Sequence, residues 1–186
     1  MKENMKVLFT RVRDVKSPVR GTSEAAGIDF FVPYFNQQFY DDLVDKNLDN
    51  EHLGISYRVF KNKQGINSLK IRLEPHVRVL IPSGVKVGIT PGTMLMAANK
   101  SGVSTKKGLT YTAEIVDSDY DGEVHIGVVN TSDEPIEIEC GDKLIQFIHT
   151  PIFLSDLEEV SLDDMTDYHK DSARGDKGFG EGTGNN

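Results

Sequence analysis

The run Asp117-Ser118-Asp119-Tyr120-Asp121-Gly122 crowds carboxylates around a phenol. Its spacing matches the first half of a calcium loop, D-x-D-x-D-G. Such a loop takes a bidentate Glu at its twelfth position, and that position here is Val128. The flanks alternate like strands where a calcium hand needs helices, so the calcium reading fails. Two readings remain from the residues alone. The run is a solvated polar turn, or it holds a carboxylate on a rigid hairpin. There the carboxylate takes a proton from a water attacking phosphorus.

Two other runs carry chemistry. Asn99-Lys100-Ser101-Gly102-Val103-Ser104-Thr105-Lys106-Lys107-Gly108 supplies Ser-Gly backbone N–H groups, hydroxyls and lysines, the makings of a phosphate cradle. The order is not that of a Walker loop, and an ordinary solvated loop is the other reading. The run from Arg174 to Gly184 has G-x-G spacing, but no strand precedes it and no helix follows, which excludes a dinucleotide-binding turn. It is an unstructured tail or an arm. In an arm, Phe179 could stack on a base and Arg174 pair with a phosphate. His52, His76, His125, His149 and His169 show no metal-ligand spacing. Cys140 is the single cysteine, so neither an intramolecular disulfide framework nor a cysteine-based zinc site is open to this chain.

These runs need elements to position them. Val77, Val79 and Ile81 alternate with Arg78 and Leu80 before Pro82-Ser83-Gly84, and Val85, Val87 and Ile89 alternate before Pro91-Gly92. Val124, Ile126 and Val128 share one face; Ile136, Ile138 and Cys140 share another. Gly141-Asp142 then turns into a strand over Leu144–Ile148. Period-two patterning with a turn about every 8–12 residues predicts an all-β sandwich or barrel. Residues 35–53 read as a short helix with Phe39 and Leu43 on one face, and 54–70 as a hairpin with Gln64-Gly65-Ile66-Asn67 at its tip. The segment 34–70 reads as an insertion. The acidic, glycine-rich tail after about 160 has too little apolar surface to hold itself folded.

The bulk numbers narrow the function classes. At 186 residues the chain fits one domain with an appendage. The net charge of −8 argues against a protein that grips nucleic acid backbone. A small anionic substrate remains open where basic groups are local, and Lys100, Lys106, Lys107, Arg174 and Lys177 are the candidates. No segment reaches the roughly 18 apolar residues of a membrane span, and a cytoplasmic protein is expected.

Taken together, the runs resemble the five motifs of the trimeric dUTPase family, in family order. Ala26-Gly27-Ile28-Asp29-Phe30 resembles the first. Lys100-Ser101-Gly102-Val103-Ser104 with Lys106 and Gly108-Leu109 resembles the second. Ala113-Glu114-Ile115-Val116-Asp117-Ser118-Asp119-Tyr120-Asp121-Gly122 resembles the third. Gly141-Asp142-Lys143-Leu144-Ile145-Gln146 resembles the fourth, and Arg174 through Gly184 the fifth. The likeness covers roughly 5–33 and 71–184. Lys100 stands where the family usually has arginine, and Glu114 where a glycine is frequent. The 34–70 segment is similar to elaborations in phage and other viral members.

The resemblance implies a jelly-roll-like β-barrel (β-clip), a flexible C-terminal arm over 160–186, and a homotrimer with shared sites. It implies hydrolysis of dUTP to dUMP and pyrophosphate. Asp117 would activate the water and Tyr120 would pack under the deoxyribose. Glu114 and Ile115 would present backbone to uracil. Lys100, Ser101, Gly102 and Gln146 would hold phosphates. From the arm, Phe179 and Gly180 would cover the base, while Arg174 and Thr183 would take the γ-phosphate. Mg2+ would ride on the triphosphate, with Asp29 reaching it only through water. The nearest rival is dCTP deaminase on the same fold, which needs a glutamate proton shuttle on the strand after the third motif. A rival of another class is a regulatory protein that uses the acidic face of 41–51 to dock a partner.

Overall fold

The computed structural model describes residues 6–177 and divides the chain into two compact units, Met1–Phe153 and Leu154–Asn186. In chain order the first unit holds β1 Leu8–Arg11, β2 Val19–Arg20, β3 Gly27–Asp29, α1 Gln37–Lys46, α2 Leu48–Glu51, β4 Ile55–Lys61 and β5 Asn67–Leu73. It continues with β6 Arg78–Pro82, β7 Val85–Gly88, β8 Thr93–Asn99, α3 Ser101–Lys107, β9 Leu109–Tyr111 and β10 Ile115–Val116. It closes with β11 His125–Asn130, β12 Ile136–Glu139 and β13 Ile145–Pro151. The second unit contains α4 Leu162–Tyr168.

The strands form antiparallel sheets in the orders β10-β8-β13-β3-β2, β6-β11-β9, β12-β5-β4 and β1-β7. This is the expected all-β, jelly-roll-like class, and the described strands do not close into a barrel. The alternation sets which side chains go inward. Val79 and Ile81 of β6, Ile126 and Val128 of β11, and Ile138 of β12 are buried, while their neighbours Arg78 and Glu137 are exposed. Phe30 and Phe147 meet at 4.7 Å between ring centroids in the same core.

The helix expected within 35–53 forms for local and tertiary reasons. Asn36 caps α1 by accepting the Phe39 N–H at 2.8 Å. Phe39 and Leu43, four residues apart, turn one face inward and are fully buried. Buried Asn47 then ties the helix to β6. Its Nδ2 donates to the Leu80 carbonyl at 2.8 Å, and its Oδ1 accepts the Leu80 N–H at 2.9 Å. A side-chain amide here stands in for a neighbouring strand. The hairpin turns over Asn62–Ile66, slightly before the expected tip, with Asn62 Oδ1 accepting the N–H groups of Gln64 and Ile66. Its second strand, β5, also pairs with β12 and buries Leu69, Ile71 and Leu73.

Two local expectations need correction. The run 101–107, read as a loop, is helix α3, ended by Gly108 in the left-handed region at φ 73°. The tail, read as unable to fold, carries α4. There Ser161 Oγ accepts the Asp164 N–H at 3.1 Å and donates to the Asp164 carboxylate at 2.6 Å. Asp163 and Asp164 in the first turn complement the helix dipole. The helix stands on these local interactions alone, since it buries no residue.

Candidate active site

The acidic turn sits where a hairpin parts. Leu109–Tyr111 pairs with β11 at Val128–Asn130, and the Thr112 N–H still reaches the Gly127 carbonyl at 3.0 Å. Beyond Ala113 the chain leaves β11 and joins β8, with Ile115 opposite Met96 and Val116 opposite Leu95. A cavity of about 260 Å³ opens between the parted strands, lined by Ala113, Ile115, Asp117 and Tyr120 on one side and Val124 and His125 on the other. Sequence reasoning placed Asp117, Tyr120 and Ile115 in one site, and the structure brings them to one cavity. Glu114 lies beside it, its carbonyl accepting the Ala97 N–H at 2.7 Å.

The turn is held by its own backbone and by Glu123. The Tyr120 hydroxyl donates to the Glu123 carbonyl at 3.0 Å. The phenol lies across Gly122 so closely that a β-carbon at 122 would push the ring aside. The Glu123 carboxylate is gripped by Arg13, whose Nε and Nη2 each stand 2.8 Å from it. The Gly84 N–H donates to it at 2.6 Å. Arg13 also donates to Asp42 of α1 at 2.6 Å. Asp117 itself is exposed, and no side-chain hydrogen bond or ion pair engages its carboxylate among the described residues. It is therefore open to solvent water.

A second cluster gathers at the far end of β8. Asp29, only 4% exposed, pairs with Lys100 through one oxygen and with Lys143 at 3.0 Å through the other. Burial pushes the Asp29 carboxyl up, but the hydrogen bonds and charges of both lysines outweigh it and hold the acid below its ordinary value. Lys100 is the residue before α3, so the first-turn N–H groups of Ser101 and Gly102 have no partner within the helix. Gln146, opposite Asp29 in β13, folds over Gly27 and donates to the Asn99 carbonyl at 2.9 Å. Gly27 must be glycine, because a β-carbon there would overlap the Gln146 amide. Lys100, Ser101, Gly102, Asp29 and Gln146 thus share one neighbourhood. Lys143 was quoted in a motif without a role; it belongs to this cluster.

The two neighbourhoods do not meet within one chain. Asp117 follows the Val116–Leu95 pair, whereas Lys100 follows Asn99 at the other end of the same strand. At about 3.3 Å per residue the two ends lie roughly 15–20 Å apart. Arg174 lies in the second unit, its Nε donating to the Lys177 carbonyl at 2.8 Å. Phe179, Gly180 and Thr183 lie outside the described residues.

Among the described residues no cluster of three His, Cys, Asp or Glu could cage a metal. Asp29 has a lysine nitrogen on each oxygen. This donor set fits a cation that arrives on the substrate better than one held by the protein.

An all-β scaffold with a carboxylate-bearing hairpin cavity and a separate lysine cluster defines a candidate phosphoanhydride hydrolase. The dUTPase family model matches residues 67–183. The chain is 36% identical over 113 residues to a deoxyuridine 5'-triphosphate nucleotidohydrolase of Wolbachia pipientis subsp. Culex pipiens, covering 58% of this chain and 69% of the relative. Among solved structures, a mutant Staphylococcus bacteriophage 80alpha dUTPase with dUpNHpp aligns with a TM-score of 0.66 at 20% identity, over 94% of this chain and 96% of that one. The dUTPase of phage phi11 of S. aureus, described with a structural Mg(II) ion, aligns with a TM-score of 0.61 at 19% identity, over 84% and 97%. The chain belongs to the dUTPase family.

Proposed function

We propose that the protein hydrolyses dUTP to dUMP and pyrophosphate, with Asp117 as the base that deprotonates a water for in-line attack on the α-phosphorus. The observation that carries this reading is the exposed, unpaired Asp117 carboxylate at the lip of a cavity that also holds Tyr120. A general base must reach the proton of the attacking water. Ile115 and Glu114 contribute backbone beside the pyrimidine, and Tyr120 takes the deoxyribose face, where a 2′-hydroxyl would collide with the ring. Removing dUTP limits uracil entry into DNA, and the dUMP formed supplies thymidylate synthesis.

The phosphates go to Lys100, Ser101, Gly102 and Gln146, joined by Lys143. The length of β8 between this cluster and Asp117 supports a homotrimer in which one chain's hairpin cavity faces another chain's lysine cluster. Among the described residues no lysine or arginine lines the cavity of the single chain. The arm over 160–186 then supplies Arg174 and Thr183 to the γ-phosphate and Phe179 and Gly180 to the base. Mg2+ carried on the triphosphate would supply charge neutralisation for the leaving pyrophosphate. Asp29, with lone pairs left beside its two lysines, would reach that ion only through water. The absence of a membrane-length apolar helix among the described residues is compatible with a cytoplasmic setting.

The experiment is pyrophosphate release from dUTP, dCTP, dTTP and UTP by the wild type. Release from dUTP far above the other three is expected. Ammonia release from dCTP would overturn hydrolysis in favour of the deaminase reading. Truncation before Arg174 should cripple turnover while the oligomer survives; normal turnover would remove the arm from the site.

A further inference from the structure

Glu123 follows the acidic turn and anchors it. Its backbone carbonyl takes the Tyr120 hydroxyl at 3.0 Å. Where Glu123 stands therefore sets where the Tyr120 ring stands. Two groups fix the Glu123 carboxylate. Arg13 reaches both oxygens through its Nε–Nη2 edge, and the Gly84 N–H donates to one of them. The Arg13 and Glu123 side chains are only 13% and 15% exposed, so salt and water screen this pair weakly.

Asp42, in the segment that reads as an insertion, adds a contact that charge balance does not require. Arg13 already has Glu123 as its counter-ion, yet its Nη2 also donates to Asp42 Oδ2 at 2.6 Å. Asp42 is aimed from its own helix. Gln38, one turn earlier in α1, donates to its other oxygen at 2.8 Å. The Arg13 hydrogen bond holds the Asp42 carboxyl below its ordinary value; burial opposes this and the Gln38 amide assists it. Nor does α1 depend on Asp42 for its anchorage. Phe39 and Leu43 are fully buried, and Asn47 pairs with Leu80. What Asp42 contributes is orientation. A guanidinium is a planar fork that grips a carboxylate with one edge. A second acceptor on Nη2 opposes rotation of that plane and keeps the gripping edge on Glu123.

We propose that Asp42 is a positioning residue of the site: through Arg13 and Glu123 it fixes the Tyr120 ring, and so α1 sharpens selection of deoxyribose over ribose. The inference rests on the dUTP-hydrolase reading, in which Tyr120 takes the sugar face. UTP differs from dUTP only by its 2′-hydroxyl. A ring whose hydroxyl is held firmly collides with that group, whereas a ring with play gives way to it. Among the described residues no member of this chain of contacts touches the Asp117 carboxylate. Loosening the chain should therefore act on sugar selection and leave the chemical step alone.

The test measures kcat and KM with dUTP and UTP for the full-length wild type, Asp42→Ala and Asp42→Asn. In Asp42→Ala the dUTP-to-UTP ratio of kcat/KM should fall about 3- to 10-fold. Its kcat on dUTP should stay within about 2-fold of wild type, the change falling on KM. Asp42→Asn keeps an acceptor for Nη2 and should recover most of the lost ratio. A general loosening of the helix would lower both substrates together; that result, or an unchanged ratio, overturns the proposal. The route through Arg13 is tested by adding Asp42→Ala to Arg13→Lys. A lysine has no fork to orient, so the ratio should then move by less than about 2-fold. Full additivity of the two substitutions overturns the route. Failure of the wild type to release pyrophosphate from dUTP sinks the hydrolase reading instead, and the two failures are thereby distinguished.

Discussion

Asp117 and Asp29 are both carboxylates at the ends of strands of the five-stranded sheet, Asp117 just after β10 and Asp29 closing β3, and the fold treats them oppositely. Asp29 is buried, with a lysine on each oxygen. Asp117 is exposed, with its carboxylate unpaired among the described residues. A carboxylate pinned between two cations has given up its readiness to take a proton, and in return it fixes Lys100 and Lys143 in place. A free carboxylate keeps its access to water. The first arrangement suits binding of phosphate, the second suits proton transfer. Placing them near opposite ends of β8, on different strands of one sheet, keeps the lysines from neutralising the base within its own chain.

The largest expected effect breaks the free side. Asp117→Asn keeps the shape of the turn and removes the proton acceptor. Pyrophosphate release should fall about 100- to 10,000-fold, while dUMP binding by calorimetry stays near wild type. Turnover within a few-fold of wild type would take the base role away from Asp117.

The paired side should fail by a different route. Asp29→Asn leaves Lys100 and Lys143 crowded without their counter-ion. We expect a loss of about 2–3 kcal/mol in denaturant unfolding, with weaker substrate binding and a smaller change in kcat. The pH dependence has a definite sign. The folded-state pKa of Asp29 lies below its unfolded value, near 3.9. Its stabilisation is therefore complete above that value and lost as the pH falls through the folded pKa. The wild-type advantage over Asp29→Asn should shrink below about pH 4. A difference that holds constant down to pH 2 would show that the lysine pairs do not carry the effect.

These contrasts also show what a sequence can carry. The strands and their inward faces were legible because period two survives in Val79, Ile81, Ile126, Val128 and Ile138. The Asp117–Tyr120 turn was legible because its parts are contiguous. Partners far apart in sequence were not: Lys143 with Asp29, or Arg13 with Glu123 across 110 residues. Alternation says which face a side chain takes, but not which strand lies beside it. Asn47 was hidden for the same reason, since its amide is matched to Leu80 across 33 residues. Helix α3 was missed because its glycine and hydroxyls favour loops by composition, while its Gly108 stop is a helix signal. His125 carried no spacing signal. Its place in the cavity comes from the parted hairpin, which a linear pattern does not display.

Asn47 gives the next test. Asn47→Ala would strand the Leu80 N–H and carbonyl, which the amide now satisfies. A loss of about 2 kcal/mol is expected from two unpaired backbone groups, read by urea midpoint. Leu80 also lines the cavity, so a modest rise in KM for dUTP should accompany it. Loss of stability with KM untouched would mean that α1 supports the sheet without shaping the cavity.

Arg13 stands between the two extremes, a largely buried cation beside the exposed turn. Arg13→Lys keeps the charge and removes the fork that grips both Glu123 oxygens. The Gly84 N–H would still hold one oxygen, and Tyr120 and His125 would still reach the Glu123 carbonyl. The effect should therefore be the smallest of the series, about 1 kcal/mol of stability. KM should rise a few-fold and kcat should hardly move, because no reacting atom touches Arg13. A drop in kcat approaching that of Asp117→Asn would mean that the free carboxylate is not independent. Its placement would then depend on the buried ion pair behind it, and the division between a fixed binding side and a free reacting side would fail at this residue.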